Sequence, residues 1–210
     1  MSNSFNIVVF ISGTGSNLQS IIEKQQQYKY KVKLVVSNND NAKGLEFAQA
    51  NHIPVYTFKW NKNDEFLTHV YDKIKQYNCN LIVLAGFMKI LPEPFIQSFK
   101  NQIINIHPSL LPKYAGLQTH QKVLDNKDSL HGATVHYVNA DLDSGKIISQ
   151  ITLEVPKNSD SDSLAKALLF REHSLLPYTI ALIRQNRVKW HGSNLYFDDN
   201  ILTKPILLND

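Results

Sequence analysis

Asn105 and His107 carry the first chemistry that the sequence offers, a carboxamide and an imidazole two residues apart in the segment Asn105–Pro112, N-I-H-P-S-L-L-P. The run Gln102-Ile103-Ile104 before them reads as a strand, so both side chains leave its exit on one face. Pro108 has no N–H and biases His107 towards extended backbone, and Pro112 closes a short loop, so the imidazole is held in place. A fixed amide donor beside a fixed imidazole at the carboxyl end of a strand suits acyl-type chemistry, because a developing oxyanion needs preorganised donors. An isolated N-x-H is more often structural than catalytic. The weight has to come from the rest of the chain.

A second candidate is Gly13-Thr14-Gly15-Ser16-Asn17, between a β-branched run from Asn6 to Ser12 and a helical spacing that begins at Leu18, Ile21 and Ile22. Such a strand-to-helix junction aims free backbone N–H groups at an anion, and its glycines let a phosphate come close. The dinucleotide fingerprint also needs a third glycine and an acidic residue after the second strand. Here Val32–Val36 runs instead into Ser37-Asn38-Asn39, so a phosphate monoester fits better than NAD; a simple tight turn is the competing reading. A third candidate, Gly86–Leu91, opens from Asn80–Ala85, which reads as a strand buried on both faces. The turn Asp141-Leu142-Asp143-Ser144-Gly145, taken alone, reads as an Asx-type turn. His131 and His136 fall on opposite faces of a strand with no acidic or cysteine partner, so no metal is expected.

The elements that must position these segments alternate. Helices are expected near Lys43–Asn51 and Asn63–Tyr77, the latter with Phe66, Val70, Ile74 and Tyr77 on its core face, and a strand at Pro54–Phe58. A helix at Gln118–Asn126, strands at His131–Asn139 and Lys146–Val155, and a long helix Ser161–Gln185 with Pro177 as a kink follow. The pattern indicates an α/β fold with a doubly wound, mostly parallel sheet, ending in a β-hairpin in which Gly192-Ser193-Asn194 is a turn. Ligands of such sheets bind beyond the carboxyl ends of the strands, so the three candidate segments are expected to converge on one cleft.

At 210 residues one core is expected, with residues of about 1–100 forming a phosphate-binding half, about 101–190 a catalytic half, and 191–210 a hairpin or tail. The apolar run Ile7–Ile11 is too short for a signal peptide or a membrane span, and the single Cys79 excludes an intrachain disulfide; a cytoplasmic protein is expected. The formal charge of +4 is spread among asparagines and glutamines, so nucleic acid and membrane are not expected partners, although the bias would steer a small phosphorylated substrate.

The motifs I-S-G-T-G-S-N at Ile11–Asn17, A-G-F-M-K-I-L at Ala85–Leu91, N-I-H-P-S-L-L-P-K-Y at Asn105–Tyr114 and L-D-S-G at Leu142–Gly145 together resemble the phosphoribosylglycinamide formyltransferases, folate-dependent transformylases of purine synthesis. The resemblance runs from about Asn6 to about Trp190. It implies that Gly15, Ser16 and Asn17 hold the substrate phosphate and that Leu169, Phe170, Arg171 and Glu172 hold the glycinamide ribonucleotide. It implies further that Met88, Lys89, Ile90 and Leu91, with Asn139, Ala140, Asp141, Leu142 and Asp143, cradle the pterin of 10-formyltetrahydrofolate. Asn105, His107 and Asp143 match the family's catalytic trio, which displaces the plain Asx-turn reading of Asp143; Asn105 also borders the folate. The chain departs from the family pattern at Asn63, aligned where some relatives have an arginine near the folate tail, at Ala115, where a proline often stands, and at Gln118, where a histidine is common.

The implied chemistry is coherent. An amine attacks a formyl carbon, Asn105 supplies a neutral donor and His107 a charged one, and Asp143 is expected to raise the His107 pKa and orient its ring. The substrate amine is the nucleophile, so Ser109 is expected to be structural. Rivals on the same scaffold, methionyl-tRNA formyltransferase and formyltetrahydrofolate deformylase, usually carry a further domain for which this length leaves no room; a non-catalytic nucleotide-binding module would need the glycine loop but not the trio. A monomer and a homodimer are both compatible with the sequence.

Overall fold

The computed structural model describes residues 4–60 and 65–208. The chain divides into two compact units, residues 1–105 and 106–210.

The first unit is built on strands whose sequences are apolar on both faces. β1 (Phe5–Ile11) is fully buried from Ile7 to Ile11, β2 (Tyr30–Ser37), β4 (Leu81–Leu84) and the start of β5 (Ile103–His107) complete its core, and β3 (Val55–Thr57) is a half-exposed strand beside β2. All pairings here are parallel, in the order β3-β2-β1-β4-β5. Helices α1 (Ser16–Tyr28), α2 (Gly44–Ala50), α3 (Glu65–Lys75) and α4 (Glu93–Ser98) connect them. α1 buries Leu18, Ile21 and Ile22 and leaves Gln19, Glu23 and Lys24 exposed, the stripe that a 3.6-residue period dictates. Each fully buried Ile or Leu contributes about 1.5–3 kcal/mol, so these runs, and not helix propensity, hold the layers together. Because β1 lies between β2 and β4, the strand order reverses beside it, and the loops after β1 and β4 flank that switch point.

In the second unit β6 (Leu130–Tyr137) and β7 (Ile147–Glu154) form an antiparallel pair, after the short α5 (Thr119–Asp125). α6 (Ser161–Arg184) packs on both strands through Leu164, Leu168, Leu175, Leu176 and Ile180. Its start is fixed by a capping box: Asp160 Oδ1 accepts from the Ser163 N–H at 2.7 Å, and Ser163 Oγ accepts from the Asp160 N–H at 3.1 Å. Pro177 sits buried inside one continuous helix. β8 (Val188–His191) and β9 (Asn194–Phe197) form the expected hairpin, turning at Gly192-Ser193 with Gly192 at φ 59°. β10 (Asn200–Ile201) adds to β9, and β11 (Ile206–Leu207) pairs in parallel with β7.

The mostly parallel α/β architecture and the C-terminal hairpin agree with the sequence expectation. α4 and β11 were not expected, since one is six residues long beside Pro92 and Pro94 and the other is two residues long. Val70 and Ile74 are core as expected, Tyr77 is half-buried, and the Phe66 side chain and Asn63 lie outside the described residues. Among the described residues no helix is long and apolar enough to cross a membrane, and no group of three or more His, Cys, Asp or Glu could hold a metal ion.

Candidate active site

In the first unit the ends of β1, β2 and β4 are tied together by Ser12. Its hydroxyl donates to Asn38 Oδ1 at 2.6 Å and accepts from the Met88 N–H at 2.8 Å, while its N–H donates to the Gly86 carbonyl at 3.2 Å. Gly15 is the N-cap of α1, at φ 74° and with no side-chain cap, so the first turn keeps donors for an anion. The glycines do not share one reason. A Cβ on Gly15 would lie 2.3 Å from Gly44 Cα, and the Gly44 N–H donates to the Gly13 carbonyl at 3.1 Å, whereas a Cβ on Gly13 would meet nothing within 4 Å. Gly15 therefore answers first to α2, and Gly13 is the position left open to a ligand.

That difference separates folding from binding. Gly15→Val is expected to destabilise the protein by roughly 3 kcal/mol or more, adding a left-handed backbone penalty to a backbone collision, and to impair every ligand alike. Gly13→Ala should leave the melting temperature unchanged and weaken only a phosphorylated ligand, which calorimetric titration would show; unaltered phosphate affinity would remove the loop from the site.

Near the other candidate loop, Met88, Lys89 and Ile90 are exposed and Leu91 is buried. Met88 and Ile90 thus stand exposed as apolar side chains on the loop that leaves β4.

In the second unit His107 ends β5 with its ring held at both nitrogens. Nε2 lies 2.9 Å from the Tyr114 carbonyl oxygen and Nδ1 lies 3.3 Å from Asp143 Oδ2. Asn105 precedes it by two residues on the same strand and is half-buried. Asp143, at φ 50°, receives the Gly116 N–H on Oδ2 at 2.9 Å and faces His136 Nε2 from Oδ1 at 3.6 Å. The carboxylate thus sits between two imidazoles. Burial raises its pKa, but the His136 ring, the Gly116 N–H and the charge of His107 outweigh burial and hold it below the ordinary carboxylate value.

For His107 the balance runs the other way. Burial lowers its pKa, the Tyr114 carbonyl and Asp143 raise it, His136 and Lys122 lower it, and the net shift is downward. Asp143 has the expected sign, yet the net direction is opposite to the expectation from the sequence, because the ring is almost wholly enclosed. Both ring nitrogens nevertheless face oxygens, an arrangement that only the doubly protonated ring satisfies with two donors.

A formyl transferase family model matches residues 5–180. The phosphoribosylglycinamide formyltransferase of Escherichia coli K12 is 38% identical over 198 residues, covering 92% of this chain and 93% of that one; that of Haemophilus influenzae is 36% identical over 209 residues, covering 97% and 99%. The chain belongs to the phosphoribosylglycinamide formyltransferase family. The fold agrees: the solved phosphoribosylglycinamide formyltransferase of Coxiella burnetii superimposes with a TM-score of 0.93 at 35% identity, over 99% of this chain and all of the other.

The remaining predicted residues of this formyltransferase are disposed as follows. Asn139, Ala140, Asp141 and Leu142 are exposed on the turn that carries Asp143, which Ser144 Oγ braces by donating to Asn139 Oδ1 at 3.0 Å. On α6 Phe170 is exposed, Leu169 and Arg171 are half-buried and Glu172 is buried. Ser109 is structural as expected, its hydroxyl donating to the Lys113 carbonyl at 2.7 Å. Sequence reasoning missed His136, Tyr114 and Gly116; for His136 the only available signal was its place at the end of a strand, on the face opposite His131.

His131 has its own partner. Its Nε2 lies 2.9 Å from His120 Nδ1, so one ring donates and the other accepts a single shared proton. Burial lowers the pKa of both, that of His131 to about 4. With folded pKa values below the ordinary 6.5, the pair contributes stability that is complete above that pH and is lost as pH falls towards 4. Melting curves of the wild type and of His131→Gln over this window should show the smaller acid dependence in the variant.

Proposed function

We propose that the chain transfers the formyl group of 10-formyltetrahydrofolate to the amine of 5′-phosphoribosylglycinamide in purine synthesis, with Asn105, His107 and Asp143 as the acting groups. The observation that carries this reading is the His107–Asp143 contact at 3.3 Å, with Asn105 two residues ahead on the same strand, in a member of this family. The amine nitrogen bonds to the formyl carbon and the carbonyl pair moves onto oxygen; that pair then re-forms the carbonyl as the carbon–N10 bond breaks, its electrons leaving on N10, which takes the proton lost by the new ammonium. Asn105 donates to the oxyanion. The Nε2–H of His107, which donates to the Tyr114 carbonyl, is the proton that it shares with the oxyanion while the carbonyl and Asp143 keep the ring in place. The oxyanion is itself a negative charge beside the ring, so it supplies the upward pull that burial withholds before the bond forms.

Ser16, Asn17 and the backbone from Gly13 to Gly15 take the phosphate, and Leu169–Glu172 take the rest of the ribonucleotide. Met88–Leu91 and Asn139–Asp143 take the pterin, a reading supported by the exposed apolar side chains of Met88, Ile90 and Leu142. Purified protein supplied with both substrates should release tetrahydrofolate in proportion to the formylated ribonucleotide. Consumption of the formyl folate at an equal rate without the ribonucleotide would instead make the chain a hydrolase.

A further inference from the structure

The Tyr114 carbonyl that orients His107 belongs to a loop whose anchoring lies deeper in the second unit. Thr134 Oγ1, on β6, donates to the Ser109 carbonyl at 2.6 Å and accepts from the Leu111 N–H at 3.0 Å. Its remaining lone pair accepts from Gln150 Nε2 at 2.9 Å, and the same amide nitrogen donates to the Leu111 carbonyl at 2.9 Å. Gln150 is buried on β7, directly opposite Thr134 in the β6–β7 ladder. Two adjacent strands thus grip both polar atoms of the Leu111 backbone. From there the loop closes on itself: Ser109 Oγ donates to the Lys113 carbonyl, and the next carbonyl, that of Tyr114, receives His107 Nε2.

Gln150 is in turn held from the far edge of its strand. β11 pairs with β7 at Ser149 and Gln150, and the Leu208 N–H donates to the Gln150 carbonyl at 2.9 Å. A buried amide is a costly choice where an apolar side chain would pack, unless both of its hydrogens have work to do.

We propose that Gln150 is a positioning residue for His107, acting through Leu111 and the Tyr114 carbonyl, and that the C-terminal strand β11 is the strap that fixes Gln150. The catalytic consequence rests on the reading of His107 given above; the mechanical link does not.

Gln150→Met keeps the length and volume of the side chain but removes the donor. It should leave the Michaelis constants of both substrates nearly unchanged and lower turnover roughly tenfold, the scale expected when a reacting group is displaced by a fraction of an ångström. In protein labelled with ¹⁵N-histidine, the His107 titration should move to lower pH, because a loosened Tyr114 carbonyl no longer favours the protonated ring. Leu208→Pro, which removes the N–H that bonds the Gln150 carbonyl, should shift the same titration in the same direction by less, and it carries both readouts if Gln150→Met does not fold. A His107 titration unchanged in the folded variants overturns the inference, even if their melting temperatures fall. A titration that moves while turnover does not upholds the link and overturns the catalytic reading of His107.

Discussion

Replacing His107 by alanine is expected to lower turnover at least a hundredfold, and adding Asp143→Asn to that variant is expected to cost little more. Asp143 reaches His107 Nδ1 through Oδ2 and faces His136 Nε2 from its second oxygen. Asparagine tolerates the left-handed backbone at this position, and its carbonyl oxygen can still accept the Gly116 N–H, so the single variant should fold. What it loses is the charge. With burial already lowering the His107 pKa, removal of the nearest anion lowers it further, and the fraction of molecules carrying the reactive proton falls at every pH above that value. Groups that act as one unit give non-additive losses, so the double variant should match His107→Ala in kcat/KM. If the two single losses multiply instead, Asp143 acts through His136 or through the turn, and the coupling to His107 is wrong.

Gly145→Ala is expected to abolish most of the activity although residue 145 has no side chain to offer the chemistry. A Cβ there would lie 1.7 Å from the Tyr137 carbonyl oxygen and 2.8 Å from its carbon, and both are backbone atoms that cannot rotate away. The Tyr137 N–H donates to the Lys146 carbonyl at 2.9 Å, so relieving the collision opens the last rung between β6 and β7. Asp143 lies two residues before Gly145, and His136 one residue before Tyr137. Overpacking of this kind costs about 1–3 kcal/mol in stability, and a carboxylate displaced by about 1 Å costs around a hundredfold in rate. Ser144→Ala, which removes the exposed brace from Oγ to Asn139 Oδ1 and the Asp141 carbonyl, serves as the control and should retain most of the turnover. Gly145→Ala with wild-type turnover and a normal melting curve would show that the turn is free to move.

The elements that the sequence made legible are those whose burial is complete or strongly one-sided. β1 and β4 read as strands because both of their faces are enclosed, so the apolar run is unbroken; α1 reads as a helix because only one stripe is enclosed. The site was half legible in the same sense. Asn105 and His107 are neighbours along the chain and announce themselves. Asp143 is brought to His107 by the β6–β7 pair, and its local sequence says only that the chain turns; the family resemblance, not the residue pattern, singled it out. His136, Tyr114 and Gly116 act through a ring nitrogen, a backbone carbonyl and a backbone N–H, and two of those three groups exist at almost every position. The direction of the His107 shift was missed for a related reason: its charged partner could be named from the sequence, but the depth of its enclosure could not.

The contact between Gly15 and Gly44 constrains how this protein can change over generations. A side chain that collides with another side chain can be accommodated by trimming the partner, and a lineage can pass through such exchanges one substitution at a time. Here each missing Cβ would strike the other residue's Cα, at 2.3 Å in one direction and 2.8 Å in the other, and no choice of partner shortens a Cα. Glycine is already the smallest residue at both positions, so neither can compensate for the other. The two loops can diverge only by moving their backbones together, which would displace the N-terminus of α1 in the same step.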